Sequence, residues 1–192
     1  PVLYGSTYRN CSKNLWSQIH RQELTTAAGV GLYEHLRAKG IHDQKAFELH
    51  IKGVEDRFNK RFPHWSSEKD VWWDLYLKRG WFPLSTGFVC HGVFSYNNLM
   101  NTPIQGPSFH CLLWSLIQIN KWLKKYKMRS KIIVQIHDSI LMDVHRKELD
   151  DVLIKVEEVM TRDVRKHWDW IVTPLAVETE WSETNWFEKK KY

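Results

Sequence analysis

The stretch from Lys131 to Val144 constrains what this chain can fold into more than any other. Lys131-Ile132-Ile133-Val134-Gln135-Ile136 is rich in β-branched residues, His137-Asp138-Ser139 interrupts it, and Ile140-Leu141-Met142-Asp143-Val144 resumes it. β-branched side chains are stiff at χ1 and fit a pleated surface better than a helix. Two such runs around a short polar break predict an antiparallel hairpin with polar residues at its tip. An acid at that tip is carried on a rigid support, as a metal-binding carboxylate needs to be. Taken alone, His137 and Asp138 are also ordinary turn residues, because short polar side chains suit turns.

Around the hairpin the pattern is helical. Residues 107–126 read as a long helix with Phe109, Leu112, Leu113, Leu116 and Leu123 inward. After the hairpin, Leu149, Val152, Leu153, Val156, Val159 and Met160 share one helical face. Earlier, Phe47, Ile51, Val54 and Phe58 recur at helical spacing until Pro63, and Ser66 or Ser67 is placed to cap a helix ending at Gly80. Residues 81–96 change character, and Thr86-Gly87 before Phe88-Val89-Cys90 predicts a second short hairpin. A last strand is expected around Pro174–Glu178, ahead of the basic tail Lys189–Lys191. Helices packed on one side of a small antiparallel sheet give an α+β fold.

Composition narrows the function classes. With 43% hydrophobic and 14% aromatic residues the chain buries a core and is no disordered tail. No apolar run approaches the roughly 20 residues of a membrane helix, and the start resembles no signal peptide. The opening Pro1 in place of Met suits a processed or trimmed chain, or a piece of a longer one. Cys11, Cys90 and Cys111 are odd in number and widely spaced, against a disulfide framework or zinc knuckle and in favour of a reducing cytosol. The net charge of +6 favours a polyanionic partner. Lys121, Lys124, Lys125, Lys127, Arg129 and Lys131 follow one another closely after the long helix. They suit contact with duplex phosphates, and equally a solvated helix end favoured by the C-terminal dipole. The ten histidines show no metal-ligand spacing, and Trp65, Trp72, Trp73 and Trp81 read as core.

Five short motifs, in order, resemble family A (polymerase I-like) DNA polymerases over essentially the whole chain. Tyr4-Gly5 resembles the TyrGly that closes the nucleotide-binding helix of the fingers, and Arg61-Phe62-Pro63 is similar to a fingers ArgTyrPro segment. Asn101-Thr102-Pro103-Ile104-Gln105-Gly106 resembles the stretch that leads into the long palm helix. Gln135-Ile136-His137-Asp138 resembles the GlnValHisAsp of the last catalytic motif. Pro174-Leu175, Val177-Glu178 and Asn185-Trp186 resemble the family's C-terminal strand and ending.

The resemblance implies a division into fingers, residues 1–85, and the C-terminal part of the palm, residues 86–192. It implies that Asp138 binds two catalytic ions, Mg²⁺ or Mn²⁺, shared with a carboxylate from elsewhere. His137 would sit by the primer terminus, and Gln105 and Asn101 would touch the minor groove or backbone of primer-template DNA. Tyr4 would stack at the templating position or the nascent pair, with Gly5 letting the helix end close against it. Lys124 and Lys125 would meet DNA phosphates. The expected activity is addition of dNTPs to a primer, in the cytoplasm, a host's if the gene is a phage's.

Three positions depart from the pattern. Ser139 stands where many members have Glu, Asn97 where an Arg is common, and Pro107-Ser108-Phe109 where small residues begin the helix. The first metal-binding Asp and the fingers Lys and Arg that grip the triphosphate should precede Tyr4. Their absence predicts an inactive chain that needs a second polypeptide carrying them, most simply through a naturally split gene. Two other readings remain. A single-subunit phage-type RNA polymerase shares TyrGlySer and HisAspSer motifs like Tyr4-Gly5-Ser6 and His137-Asp138-Ser139. A non-catalytic DNA-binding subunit with the polymerase fold is the other.

Overall fold

The computed structural model describes residues 7–192, and Tyr4 and Gly5 lie outside them. The chain divides into two compact units, Pro1–Leu84 with Val89–Ile104, and Ser85–Phe88 with Gln105–Tyr192.

The first unit carries α1 (Tyr8–Arg21), α2 (Leu32–Ala38), α3 (Gln44–Arg61) and α4 (Pro63–Arg79), then a hairpin of β1 (Trp81–Pro83) and β2 (Val89–His91). Asp43 caps α3 by accepting from the Ala46 amide at 2.8 Å. Helix α3 ends at Arg61, as Pro63 predicts, and Pro63 itself is the first residue of α4. A helix's first amides have no intrahelical acceptor, so a proline loses nothing there. Ser66 and Ser67 therefore lie inside the helix and do not cap it. Gly80 ends α4 at φ 72°, a left-handed conformation that glycine adopts without steric cost.

Two apolar clusters hold this unit. Ile19, Leu36, Ile41 and Phe47 form one, and Tyr76, Phe82, Leu84, Leu99 and Met100 the other. Trp72 and Trp73 pack against the second cluster, as the core reading expects. The buried Tyr76 hydroxyl donates to the Gly92 carbonyl at 2.8 Å and accepts from the Phe94 amide at 2.9 Å, so its polar end is satisfied. Val54, expected on the buried face of α3, is exposed.

Helix α5 (Tyr96–Lys125) starts well before residue 107, where the sequence puts its beginning. Pro103, Gly106 and Pro107 look like breakers, and Pro103 and Pro107 do lack the amides that would bond Leu99 and Pro103. Upstream determinants outweigh them. The Ser95 hydroxyl accepts from the Asn98 amide at 3.3 Å as an N-cap, and the next turn buries Leu99 and Met100 completely.

In the second unit, β3 (Lys131–Ile136) and β4 (Ser139–Asp143) form the expected hairpin. Helix α6 (Leu149–Glu157) runs through a π-helical stretch, Glu158–Asp163, into α7 (Val164–His167). The core joins Ile119 and Leu123 of α5 to Val152 and Val159, with Ile132, Ile140 and Met142 of the hairpin packed on them. The inward stripe of α5 in this unit is Leu112, Ser115, Ile119 and Leu123. Phe109 and Leu113, expected inward, are 45% and 41% exposed. Residues 174–178 form no strand. An extended run registers as sheet only against a partner ladder, and none among the described residues pairs with it. The pairing falls later, between β5 (Glu180–Trp181) and β6 (Lys190–Lys191). Helices packed with small antiparallel sheets make the fold α+β. Among the described residues no helix is long and apolar enough to cross a membrane.

Candidate active site

The hairpin tip is a two-residue loop, because Ile136 pairs with Ser139 and leaves only His137 and Asp138 between them. Two-residue hairpin loops require a positive φ at their first position to match the strand twist. His137 supplies it at φ 51°. A residue with a side chain in that region costs about 1–2 kcal/mol, and such strain collects at functional positions. Two hydrogen bonds hold the tip in place. The Gln135 side-chain amide donates to the His137 carbonyl, and the Ser139 hydroxyl donates to the Ile136 carbonyl at 2.9 Å. Ser139, which departs from the family's Glu, thus closes the turn.

A bulge shapes the strand behind the tip. Ile132 pairs with Met142 and Val134 with Leu141, so Ile133 has no opposite residue. An extra residue of this kind bends the strand and sharpens its twist. Ile133 is 58% exposed, and Val134 and Ile136 are exposed beside it.

The base of the hairpin is clamped by a carboxylate. Glu148 accepts from the Arg129 amide at 2.9 Å, the Ser130 amide at 2.9 Å and the Ser130 hydroxyl at 2.6 Å. Ser130 Oγ in turn accepts from the His145 amide at 3.0 Å. The segments before β3 and after β4 are therefore tied through one buried hydroxyl. The Arg129 amide, followed by the Ser130 hydroxyl, holds the Glu148 carboxyl well below its ordinary value, at about 2. His145 Nε2 lies 3.1 Å from an Arg129 nitrogen that can only donate, so Nε2 accepts and the proton sits on Nδ1. That Nδ1 is shielded and has no hydrogen-bond partner among the described residues.

Asp138 is exposed, and no hydrogen bond or ion pair engages its carboxylate among the described residues. Hard carboxylate oxygens suit Mg²⁺ or Mn²⁺. Among the described residues no group of three His, Cys, Asp or Glu gathers. Of the other expected residues, Gln105 is exposed on α5, and Asn101 carries a shielded side-chain oxygen with no hydrogen-bond partner among the described residues. Lys124 and Lys125 are exposed at the end of α5, with the Lys125 ammonium 5.3 Å from the Tyr126 ring centroid. The structure brings His137, Asp138 and Gln135 together. Among the described residues no side-chain bond links Gln105, Lys124 or Lys125 to the tip. Sequence reasoning passed over the Ser130–Glu148 clamp, whose partners stand 18 positions apart and leave no local signal.

Residues 93–188 match the family model for DNA polymerase family A. The chain is 32% identical over 169 residues to a DNA polymerase of Bacillus phage SP01, a match covering 79% of this chain and 17% of the phage protein. It is 31% identical over 97 residues to DNA polymerase I of Lactococcus lactis subsp. lactis (strain IL1403), covering 50% of this chain and 10% of that one. The chain thus spans only a small part of the length of these relatives. Its fold is similar to the POL domain of Pol1 from M. smegmatis, solved as a complex with DNA primer-template and dNTP. The TM-score is 0.53 at 20% identity, over 66% of this chain and 23% of that one.

Proposed function

The chain belongs to DNA polymerase family A, whose family model spans half of it, and from that membership we propose that it forms the C-terminal part of a template-directed DNA polymerase that extends primers with dNTPs. The observation that carries this reading is the hairpin tip, where a carboxylate that no described residue engages stands on a braced two-residue loop beside a strained histidine. Residues 1–85 act as part of the fingers and 86–192 as the C-terminal part of the palm.

Two divalent ions, Mg²⁺ or Mn²⁺, supply activation of the attacking oxygen and charge relief at the leaving one. Asp138 is assigned one ligand position, and His137 a place beside the primer terminus. Gln105 and Asn101 read the minor groove, where every base pair offers an acceptor in a similar position whatever the sequence. Lys124 and Lys125 hold phosphates, which makes binding salt-dependent. Tyr4 stacks at the templating position or on the nascent pair, and Gly5 lets the helix end close against it.

The second carboxylate, and the Lys and Arg that neutralise the triphosphate, come from polypeptide outside these 192 residues. Phe109, Leu113 and Ile117 on one stripe of α5, with Ile133, Val134 and Ile136 on the hairpin, offer exposed apolar surface for it. Without that polypeptide the chain is inactive; with it, the assembly works in the cytoplasm. The test is primer extension by the complete assembly, offered dNTPs and rNTPs in parallel. Asp138→Ala should cut dNTP extension by at least about a hundredfold while the DNA dissociation constant moves less than about threefold, because the ions act on the transition state. Equal losses in rate and affinity would make Asp138 structural, and a preference for rNTPs would assign an RNA polymerase.

A further inference from the structure

A groove of 540 Å³ lies in the second unit between α5 and the α6–π stretch, and none of its lining residues belongs to the hairpin. Trp114 and Trp122 of α5 and Tyr126 just beyond its end line one wall, with Lys121 and Lys125 beside them. Lys155, Asp163 and Lys166 line the other wall.

The two walls differ in how their charge is met. Lys155 Nζ is 2.9 Å from Glu158 and 3.6 Å from Asp163, and Lys166 Nζ is 4.0 Å from Asp163. Lys121 and Lys125 have no carboxylate partner among the described residues. The groove therefore holds four lysines against one aspartate, and the uncompensated charge lies on the aromatic wall. The opposite wall is formed in part by the π-helical turn Glu158–Asp163, which supplies Val159 and Asp163. Such turns are rare and are frequent at functional sites.

We propose that this groove holds a short single-stranded nucleic-acid segment, its phosphates on Lys121, Lys125 and Lys166 and a base against Tyr126. Tyr126 is 58% exposed, with the Lys125 ammonium 5.3 Å from its ring centroid. Aromatic faces interleaved with lysines serve single strands, whose bases are free to stack. A duplex keeps its bases stacked on each other and would use only the lysines. An acidic peptide would also meet the lysines, but it has no need of rings along one helical stripe. Asp138 and the hairpin take no part in the inference, which shares only Lys125 with the polymerase reading.

Fluorescence anisotropy of the full chain with a labelled dT12 oligonucleotide tests it. Tyr126→Ala should weaken binding about tenfold, as loss of one base-stacking ring does. Lys121→Ala should reduce the slope of log affinity against log salt by about 0.7. Lys13→Ala, an exposed lysine of α1, should change neither. Photocross-linking with bromouracil in the oligonucleotide should label peptides within 114–126 or 155–166. Because Tyr126 is exposed, its removal should leave the circular dichroism spectrum unchanged. Parental binding by both groove variants, or cross-links confined to other peptides, would overturn the proposal. So would a chain that binds an oligoglutamate peptide but not dT12. If primer extension fails while dT12 binding and its sensitivity to Tyr126→Ala persist, the polymerase reading falls alone.

Discussion

Replacing Ser130 by Ala should loosen the base of the hairpin by about 2–3 kcal/mol. Ser130 is 3% exposed, so water does not readily take the place of its hydroxyl. Its Oγ donates to Glu148 at 2.6 Å and accepts from the His145 amide at 3.0 Å. A hydrogen bond to an ionised carboxylate contributes about 1.5–3 kcal/mol, and leaving a shielded amide unpaired adds about 1 kcal/mol. The Arg129 and Ser130 amides still reach Glu148, which keeps the loss below the simple total. Because the chain has two units, a single unfolding transition is an unsafe readout. Backbone hydrogen exchange reports each segment separately. A loss of about 2 kcal/mol means roughly thirtyfold faster exchange at Ser130 and His145, with the α1 and α3 amides unchanged. Exchange at Ser130 and His145 within about twofold of the parent would refute the clamp as a stabilising element. The variant should also lower the rate of primer extension by the complete assembly, since the clamp fixes where the tip points.

Three further outcomes follow from the same geometry. Glu148 is held at about 2, below its ordinary 4.5, so its clamp contributes fully above pH 4.5 and is lost as pH falls toward 2. Glu148→Gln should therefore flatten acid destabilisation of residues 129–148 in that window, and an unchanged pH profile by hydrogen exchange would count against it. His137→Gly removes a left-handed side chain and should stabilise the hairpin by up to about 1 kcal/mol while lowering primer extension. Loss of both would show that His137 is needed for folding. Ile119→Ala, at a fully buried position, should cost about 2–5 kcal/mol by hydrogen exchange of the slowest amides of the second unit, and a change under about 1 kcal/mol would contradict the packing.

The sequence by itself determined the elements whose causes are local. The β-branched run of β3, the polar pair at residues 137–138 and the apolar face of α6 act through neighbouring residues, so hairpin and helix were legible without coordinates. The order of short motifs likewise carried the family. Tertiary structure decided whatever depends on residues far apart in the chain. Pro103 and Pro107 read as breakers because local propensity disfavours them, yet burial of Leu99 and Met100 beside Tyr76 and Phe82 carries the helix through. Phe109 and Leu113 have the hydrophobicity of core residues, and only the packing shows that the inward stripe runs instead through Ser115 and Ile119. Residues 174–178 have a strand-like pattern but no ladder partner among the described residues. Ser139 looked like a lost carboxylate until its bond to the Ile136 carbonyl gave it a place in the turn. Glu148 and Ser130 were invisible as a pair because a hydrogen bond across 18 residues follows from how the chain folds back, which no local pattern encodes.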